Sequence, residues 1–362
     1  MRTIIMPPSA ILKTLNSNSA QDSLGYARTV AVIIPFYQKK SSILKRAMIS
    51  VLAQRLPVNT NLHVFIIDDS SPVSAEHDLA NLPLQDNISW SVHYQPNAGP
   101  GAARNRGLDL ADTAAVDFVA FLDSDDEWLP QHLHDAIDAL DQGYGFYFCD
   151  HTRNEHASGH AVIDALKEKG TRLRQKAKVL SEQGPVFGFA PKALSAEMIT
   201  EYLCQTSCIV MRAEVSKGHR FDSDLRVAGE DHLYWITLAI HDVPMVASWR
   251  SNVICGEGLN IYFSAFDWSN PASIDRLGHL LLMSEKLKAM PEAVGAAKEA
   301  IEANCIKKRR GYGFLFTRAL LKGWRPNLTT LKKIQRYDPL IFLRIPFSFF
   351  SVLLNRRKSR DW

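Results

Sequence analysis

The sequence lacks the features of a membrane-spanning or secreted protein. No apolar run in its 362 residues reaches the roughly 18 to 20 residues that a membrane span requires. No secretory signal is evident, because Pro7 and Pro8 interrupt the apolar residues that follow Arg2, and no small-residue cleavage site follows clearly. We therefore expect a protein that neither crosses a membrane nor is exported.

Cysteine is also scarce. The five cysteines are odd in number, widely spaced and include no Cys-x-x-Cys pair, which argues against a disulfide framework. Cys204 and Cys208 are four residues apart, but no nearby His or Cys completes a zinc site. The pattern predicts reduced, mostly buried thiols and a cytoplasmic protein.

Charge is unevenly distributed along the chain. Residues 301–362 carry fifteen Lys or Arg against Glu302, Asp338 and Asp361, a net charge of +12, so the preceding residues carry −8. Such asymmetry suggests a nucleic acid or an anionic membrane as partner. No recognised nucleic-acid-binding module accompanies the charge, so we expect no nucleic acid partner.

The most informative stretch is Phe118–Trp128, FVAFLDSDDEW. Five apolar residues predict a strand buried on both faces, and an acidic cluster follows at its carboxyl end, where open α/β sheets bind ligands. Neighbouring carboxylates repel one another unless a cation or solvent offsets their charge, and their oxygens suit Mg²⁺ or Mn²⁺. The alternative is a solvated acidic turn.

The same arrangement recurs earlier in the chain. Thr29–Pro35 and Leu62–Ile67 are short, β-branched apolar runs that predict buried strands, and Asp68-Asp69 directly follows the second. Ser41 or Ser42 could cap the helix between them. Strands alternating with helices predict an α/β fold with a mostly parallel sheet covered on both faces.

The second half of the chain is less regular. Residues 151–195 interrupt the pattern with a basic helical stretch, Leu166–Leu180, and we interpret them as an insertion lining the site. Thr206–Met211 then predicts another strand, and Ser273–Ala303 looks helical. Glu230-Asp231 precedes an apolar-periodic helix; acids there favour a helix N-terminus electrostatically, which is the alternative to a catalytic role.

The basic tail also holds an apolar and aromatic segment, Pro339–Leu354, which is broken by Arg344 and Pro346. Apolar residues interleaved with basic ones suit an interfacial segment on anionic lipid. The alternative is a basic helical pair that packs on the catalytic body.

Several of these segments together resemble family 2 glycosyltransferases, and the resemblance covers roughly Thr29–Asp242 in matching order and spacing. Val30–Lys39 is also similar to enzymes that build bacterial exopolysaccharides such as succinoglycan. The segments that carry the resemblance are VAVIIPFYQK (Val30–Lys39), SVLAQ (Ser50–Gln54), FIIDDSS (Phe65–Ser71), NAGPGAARNRG (Asn97–Gly107), FLDSDDEW (Phe121–Trp128), FDSDL (Phe221–Leu225) and GEDHLYW (Gly229–Trp235).

The resemblance implies a GT-A fold and the following organisation. Residues 1–28 are a loosely ordered leader, residues 29–270 a catalytic domain and residues 271–362 a helical basic tail that could associate with a membrane. Within the catalytic domain, residues 29–127 form the nucleotide-sugar half and residues 128–270 the acceptor half with the insertion.

The resemblance also implies a role for each matching residue. The metal ion, Mn²⁺ or Mg²⁺, would be held by Asp125 with Asp126 nearby. Asp231 would be the general base, and Glu230 would orient the acceptor or Asp231. The nucleotide contacts would be Pro35 and Tyr37 at the base, Asp68 and Asp69 as acceptors of a hydrogen bond from the base, Asn97 and Arg104 elsewhere on the nucleotide, and Asp123 at the ribose.

The implied reaction moves a hexose from a UDP-glucose-like donor with inversion. A cation offsets charge on the leaving diphosphate, and one carboxylate takes the proton of the acceptor hydroxyl. Processive polysaccharide synthases of this family carry a Gln-x-x-Arg-Trp motif and transmembrane helices, and the sequence shows neither. We therefore expect a single transfer per acceptor, to a saccharide such as a lipid-linked oligosaccharide that is presented at the inner face of the membrane.

Two other functions share these features. A nucleotidyltransferase also uses Asp-held metal, but Pro35-Phe36-Tyr37-Gln38 stands where it would typically have a Gly-rich, basic loop. A non-catalytic scaffold could bind nucleotide sugar without turning it over. The product separates the two enzymes, since sugar transfer releases a nucleoside diphosphate and nucleotidyl transfer releases pyrophosphate.

Overall fold

The computed structural model describes residues 4–5, 27–153, 171–181, 184–256 and 270–355. The expected leader, the middle of the insertion and the last seven residues lie largely outside this part of the chain. The described chain forms two compact units, and the division of the catalytic domain and tail near residue 271 stays a prediction. Unit 1 comprises Met1–Pro191, Leu203–Arg220 and Val243–Gly258, and unit 2 comprises Lys192–Tyr202, Phe221–Asp242 and Leu259–Trp362.

Unit 1 contains a mixed sheet of eleven strands. The strands are β1 (Ile4–Ile5), β2 (Arg28–Phe36), β3 (Thr60–Asp68), β4 (Ile88–Tyr94), β5 (Phe118–Phe121), β6 (Glu127–Trp128), β7 (Phe146–Arg153), β8 (Ala177–Ser181), β9 (Val186–Phe189), β10 (Ile209–Arg212) and β11 (Met245–Cys255). Their order is β1-β4-β3-β2-β5-β10-β7-β11-β9-β8, and β6 pairs with β11.

The longest strand pairings are parallel. β2 lies between β3 and β5 and is parallel to both, and β4 is parallel to β3. The apolar residues of these strands are almost wholly buried because helices cover the sheet, as doubly buried parallel strands require. The predicted α/β fold with a mostly parallel, mixed sheet is confirmed.

The described residues form twelve α-helices, six in each unit. In unit 1 these are α1 (Ile43–Leu52), α2 (Ala75–Leu79), α3 (Pro100–Ala114), α4 (His132–Leu140), α5 (Arg172–Lys176) and α7 (Ala213–Ser216); in unit 2 they are α6 (Ser195–Thr200), α8 (Glu230–Ile240), α9 (Ala272–Lys288), α10 (Gly295–Leu321), α11 (Leu328–Gln335) and α12 (Ile341–Asn355).

The N-terminus of α1 is capped from outside its own sequence. Ser42 precedes the helix in a left-handed conformation, φ 71°, and its side chain makes no capping bond. Instead the buried carboxylate of Asp78 accepts hydrogen bonds from the backbone N–H groups of Ser42 (2.6 Å) and Leu44 (3.0 Å). The predicted serine cap is therefore wrong, because a carboxylate from α2 satisfies the exposed backbone donors.

Two secondary-structure predictions in unit 1 need correction. The first residues of the predicted strand Thr206–Met211 form a 3-10 turn, Thr206–Cys208, and the strand is Ile209–Arg212. Within the predicted helix Leu166–Leu180, the described residues are helical only in α5 and then form β8, which pairs with β9. Pairing with a neighbouring strand overrides the local helical preference.

Unit 2 is helical in its described part. The predicted helix Ser273–Ala303 is two helices, α9 and α10, separated by a turn that contains Pro291, whose ring cannot continue a helix. α10 packs on α9, α6 and α12. Arg309 on α10 ion-pairs with Glu285 and, at 3.0 Å, with Asp338, so part of the basic tail is built into this unit.

None of the helices in the described residues combines the length and apolar character that a membrane span requires.

Candidate active site

The predicted donor site lies at one edge of the unit 1 sheet. β3, β2 and β5 are adjacent and parallel, so their carboxyl ends meet at the same edge. Tyr37, Asp69 and Asp123 lie one or two residues beyond these ends. This is the edge at which open α/β sheets bind ligands.

Asp69 fixes the loop that leads into α3. Its carboxylate accepts hydrogen bonds from the backbone N–H groups of Ala98 and Gly99, both at 2.8 Å, and from Nε2 of Gln95, also at 2.8 Å. Asn97 donates from Nδ2 to the Asp69 carbonyl oxygen at 2.9 Å. The structure thus brings together two predicted nucleotide contacts, and the carboxylate of Asp69 also builds the loop on which Asn97 lies.

The neighbouring carboxylate, Asp68, is also buried. Burial raises its pKa, against a hydrogen bond that Oδ1 accepts from the Ser71 backbone N–H at 2.7 Å. Ser71 also contacts the loop after β2, because its hydroxyl accepts a hydrogen bond from the backbone N–H of Gln38 at 2.7 Å. Through Ser71, Asp68 therefore links the loop after β3 to the loop after β2.

The segment after β2 combines one accessible ring with a buried amide. Pro35 is half-buried in the strand, and the Tyr37 side chain is 38% exposed, which leaves an aromatic face available at this edge. The buried Gln38 side chain donates from Nε2 to the Ser124 hydroxyl at 3.0 Å. The loop after β2 is thereby tied to the acidic loop after β5.

Arg104 and Asp123 form an ion pair beside these loops. Nη2 of Arg104 lies 2.8 Å from Oδ1 of Asp123, and the arginine is 4% exposed. The guanidinium comes from the second turn of α3 and the carboxylate from the loop after β5. A charge-assisted bond of this kind fixes both groups, so two predicted nucleotide contacts are pre-positioned together.

Four carboxylates crowd the segment after β5 from Asp123 to Glu127, which we call the acidic loop. Burial, and then repulsion from Asp123, raises the pKa of Asp125. The same causes, with Asp125 adding to the repulsion, raise the pKa of Asp126 to about 7. Crowded carboxylates whose charged forms are disfavoured are stabilised by a nearby cation.

The two predicted metal ligands differ in their surroundings. Asp126 is 3% exposed, and its Oδ1 accepts from the backbone N–H of Gly256 at 2.8 Å. Its Oδ2 accepts from the hydroxyl of Ser207 at 2.6 Å and from Nε2 of Gln205 at 2.8 Å. Asp126 therefore anchors the acidic loop in the protein, while Asp125 is only partly buried.

Sequence reasoning missed Ser207, which contacts two of the predicted site residues. Besides donating to Asp126, its hydroxyl accepts from the backbone N–H of Asp123 at 2.9 Å, and its carbonyl oxygen accepts from Trp128 Nε1 at 2.7 Å. It lies in the 3-10 turn before β10, about eighty positions away along the chain. No local pattern marks such a contact, so the sequence held no signal for it.

Ser207→Ala is expected to loosen the acidic loop. Removing the hydroxyl leaves the Asp123 N–H without its acceptor and should lower the free energy of unfolding by about 1–3 kcal/mol. Because the loop positions the proposed metal ligand, kcat/KM should fall by about 10-fold to 100-fold. Urea unfolding and steady-state assays of sugar transfer measure the two effects.

The control for this variant is Ser284→Ala, which removes a buried hydroxyl that donates to the Leu280 carbonyl within α9. It should lose some stability but keep kcat/KM. Equal kcat/KM for Ser207→Ala and the wild type would contradict the positioning role.

The residues present fit a cation that is shared with a substrate. Among the described residues, no group of three or more His, Cys, Asp or Glu side chains could hold a metal by itself. Mg²⁺ and Mn²⁺ at phosphate sites commonly use one or two carboxylates, and the diphosphate and water supply the other oxygens. Asp125, with its raised pKa and partial exposure, suits such a site, and Asp126 would support it from behind.

In unit 2, Asp231 lies in the first turn of α8. Its Oδ2 accepts from the Tyr202 hydroxyl at 2.5 Å, and its Oδ1 accepts from the His232 backbone N–H at 2.7 Å. The ring of His232 has its pKa lowered by burial and donates from Nε2 to the Met198 carbonyl at 2.6 Å. Tyr202, which sequence reasoning missed, therefore orients the predicted general base.

Glu230 is buried at the start of the same helix, next to Asp231. Gly229 precedes it with φ 90°, and a Cβ there would lie 3.1 Å from Sδ of Met283 on α9. Glycine avoids both the backbone strain and the close contact, so the sharp turn into α8 can pack on α9. This turn therefore fixes the position of Glu230 and Asp231 in the first turn of α8.

Comparison with known proteins identifies the family. The model of glycosyl transferase family 2 matches residues 31–195. The succinoglycan biosynthesis protein ExoW of Rhizobium meliloti (strain 1021) is 35% identical over 311 residues, which cover 86% of this chain and 94% of that protein. The similarity to ExoW covers more of the chain than the residues that the family model matches.

Solved structures support the fold. S. aureus TarS in complex with UDP-GlcNAc matches with a TM-score of 0.58 at 16% identity, over 91% of this chain and 93% of that one. The Pyrobaculum calidifontis mannosyltransferase PcManGT, in complex with GDP-Man and Mn²⁺, matches with a TM-score of 0.53 at 15% identity, over 92% and 89%. At these identities the likeness shows a shared GT-A fold.

The sheet, the carboxylates at its edge and the relatives agree with one another. They support sugar transfer over the nucleotidyl-transfer and scaffold alternatives, because the family match and the extended similarity to ExoW both point to a glycosyltransferase. The chain belongs to glycosyl transferase family 2 and is a glycosyltransferase.

Proposed function

We propose that the enzyme moves one hexose from a nucleoside diphosphate sugar, UDP-glucose in the first instance, to a saccharide acceptor with inversion. The observation that carries the proposal is the edge of the unit 1 sheet. There an accessible aromatic ring, a fixed Arg104–Asp123 pair and the crowded carboxylates of the acidic loop occupy the carboxyl ends of three adjacent strands. These groups would contact the base, the ribose and the metal-bound diphosphate of the donor, respectively.

On the donor side, the Tyr37 ring would stack on the base, and Asp68 and Asp69 would accept its hydrogen bonds. Oδ2 of Asp69 accepts one hydrogen bond in the structure, so it retains capacity for another. Asp123, oriented by Arg104, would accept from a ribose hydroxyl. Asn97 lies on the loop that Asp69 organises, where its amide could also reach the nucleotide.

Asp125 would hold the divalent cation, Mn²⁺ or Mg²⁺, with Asp126 fixing the loop behind it. When bound, the cation supplies positive charge that stabilises the leaving diphosphate. The chain's own part is to keep the Asp125 carboxylate in place through the hydrogen bonds of Asp126.

On the acceptor side, Asp231 would take the proton of the attacking hydroxyl. A carboxylate whose two oxygens each accept one hydrogen bond is held in position and still has lone pairs for a proton. A single base gives one in-line displacement and inversion at the anomeric carbon. Glu230 would orient the acceptor or Asp231.

The acceptor we propose is a saccharide carried on a lipid, presented to an enzyme that attaches to the cytoplasmic face of the membrane through its basic tail. The net charge of +12 over residues 301–362 supports this location. The similarity to a protein named for succinoglycan biosynthesis supports a role in assembling a bacterial surface or extracellular polysaccharide.

Calorimetric titration of the purified protein tests the donor site. UDP, GDP and dTDP are titrated, each with Mn²⁺ and with chelator, followed by an assay of UDP release from UDP-glucose. We expect UDP to bind more tightly than the other two and to lose at least about tenfold in affinity with chelator. Nucleotide binding without base selectivity or metal dependence would contradict the proposed donor and cation.

A further inference from the structure

The last described helix, α12, has one buried face and one exposed face. Ile341, Ile345, Ser348 and Val352 are buried, at the spacing of one side of a helix. The helix sits close against α10, because a Cβ on Gly313 would lie 2.7 Å from Cβ of Ser348. Packing within unit 2 therefore fixes the orientation of α12, and this orientation determines which of its residues are exposed.

The outward face is entirely apolar. Every exposed residue between Ile341 and Leu354 is apolar, and the exposed fractions of the large side chains range from 49% at Phe342 to 83% at Leu354. A surface helix ordinarily turns polar residues to water. We call this surface the apolar face; it consists of Phe342, Leu343, Pro346, Phe347, Phe350, Leu353 and Leu354.

The surrounding chain is positively charged with almost no acid to balance it. From Ala303 to Asn355 there are eleven Lys or Arg and a single carboxylate, Asp338. Asp338 is 3% exposed and ion-pairs with Arg309 and Arg344, at 3.0 and 2.7 Å. The exposed bases are Lys307, Arg310, Lys322, Arg325, Lys332 and Arg336.

The apolar face and the positive charge around it together indicate what binds this surface. A second copy docking through this surface would bring like charges together, which is unfavourable. An anionic lipid surface offers negative headgroups for the bases and an apolar layer for the aromatic side chains. At about 1.5 Å per residue the helix is about 22 Å long, shorter than the roughly 30 Å of a bilayer core.

We propose that α12 lies in the plane of an anionic membrane and inserts its apolar face between the headgroups and the acyl chains, while the exposed bases of α10, of α11 and of the residues that directly follow these helices contact the headgroups. The purpose of this attachment, access to a lipid-linked acceptor, rests on the proposed function. The attachment itself depends only on the surface of unit 2.

Vesicle binding by the full-length protein tests the proposal. The probes are vesicles of phosphatidylcholine alone and of phosphatidylcholine mixed with phosphatidylglycerol, measured by flotation. The triple variant Leu343→Ser/Phe347→Ser/Phe350→Ser should lower the partition coefficient on anionic vesicles by at least about 10-fold, because bound area and affinity fall together. Wild-type binding should also weaken on neutral vesicles and at high salt.

The control is Val58→Ser/Leu84→Ser, which removes two side chains that are 86% and 70% exposed in unit 1. It should bind vesicles as the wild type does. Wild-type protein that fails to bind anionic vesicles, or a triple variant that binds them unchanged, would overturn the proposal. The proposal would also be overturned if the wild type were a dimer that bound no vesicles and the triple variant were a monomer. A second copy of the chain would then cover the apolar face.

Thermal melts and UDP titration of each variant establish that it is folded. The two proposals also fail separately in these measurements. Vesicle binding without nucleotide binding would contradict the proposed donor site and support the proposed membrane surface. Nucleotide binding without vesicle binding would support the donor site and contradict the membrane surface.

Discussion

Asp231→Asn is expected to lower kcat by about 10²-fold to 10⁴-fold, the usual contribution of a general base. The substitution should leave UDP binding unchanged, because Asp231 is proposed to act on the acceptor. Asn keeps an oxygen for the His232 N–H, and its amide can donate to the Tyr202 hydroxyl, so the local structure is retained. Steady-state assays and UDP calorimetry measure the two quantities.

This variant also separates the catalytic interpretation of Asp231 from the electrostatic one. If the carboxylate only stabilised the N-terminus of α8, the variant would lose about 0.3–1 kcal/mol of stability and keep its kcat. Asp242→Asn is the matched control, since Asp242 is an 82% exposed carboxylate of the same unit. It should change neither kcat nor UDP affinity.

Tyr202→Phe supplies an intermediate case. The hydroxyl at 2.5 Å from Asp231 orients the carboxylate but does not take the proton. We therefore expect a loss in kcat of about 10-fold, smaller than that of Asp231→Asn, with UDP affinity retained. A Tyr202 variant as impaired as Asp231→Asn would indicate a more direct role.

Asp125→Asn is expected to remove the metal dependence of donor binding and to lower kcat/KM by about 10²-fold to 10³-fold. Burial and the neighbouring Asp123 raise the pKa of Asp125, so its charged form is disfavoured until a cation compensates it. In the wild type, Mn²⁺ and UDP together should raise the melting temperature, and in the variant they should not. Asp86→Asn, at an exposed carboxylate, is the control.

The direction of the pH effect follows from the same groups. Protons compete with the cation for the carboxylate of Asp125, whose pKa burial raises. Burial also raises the pKa of Asp126 to about 7, and protonation of that carboxylate would weaken the hydrogen bonds that hold the loop. Stabilisation by Mn²⁺ with UDP should therefore be smaller at pH of about 6 than at about 8. An Asp125 variant that keeps Mn²⁺-dependent UDP binding would show that the cation is held elsewhere.

Much of the fold could be predicted because its signals are local. The apolar runs Thr29–Pro35, Leu62–Ile67 and Phe118–Leu122 are buried strands, since only a sheet covered on both faces hides so many consecutive apolar side chains. The carboxylates that end these runs lie at one edge of the sheet because parallel strands share a direction.

What stayed hidden from the sequence depends on contacts between distant residues. Asp78 caps α1 from another helix, and Ser207 and Gly256 hold Asp126 across separations of 81 and 130 positions. Tyr202 reaches Asp231 across 29 positions. No periodicity or spacing records these bonds, because they form only once the chain has folded.

The sequence by itself determined the strands of the parallel part of the sheet, the sheet class and the placement of acidic residues at strand ends, since periodicity and turn chemistry act within a few residues. Only the tertiary structure decided how the carboxylates differ. It engages both oxygens of Asp126 with protein donors, leaves Asp125 partly exposed, and turns the apolar side of α12 outward. Packing and long-range hydrogen bonds set the surroundings of each group, and those surroundings set its chemistry.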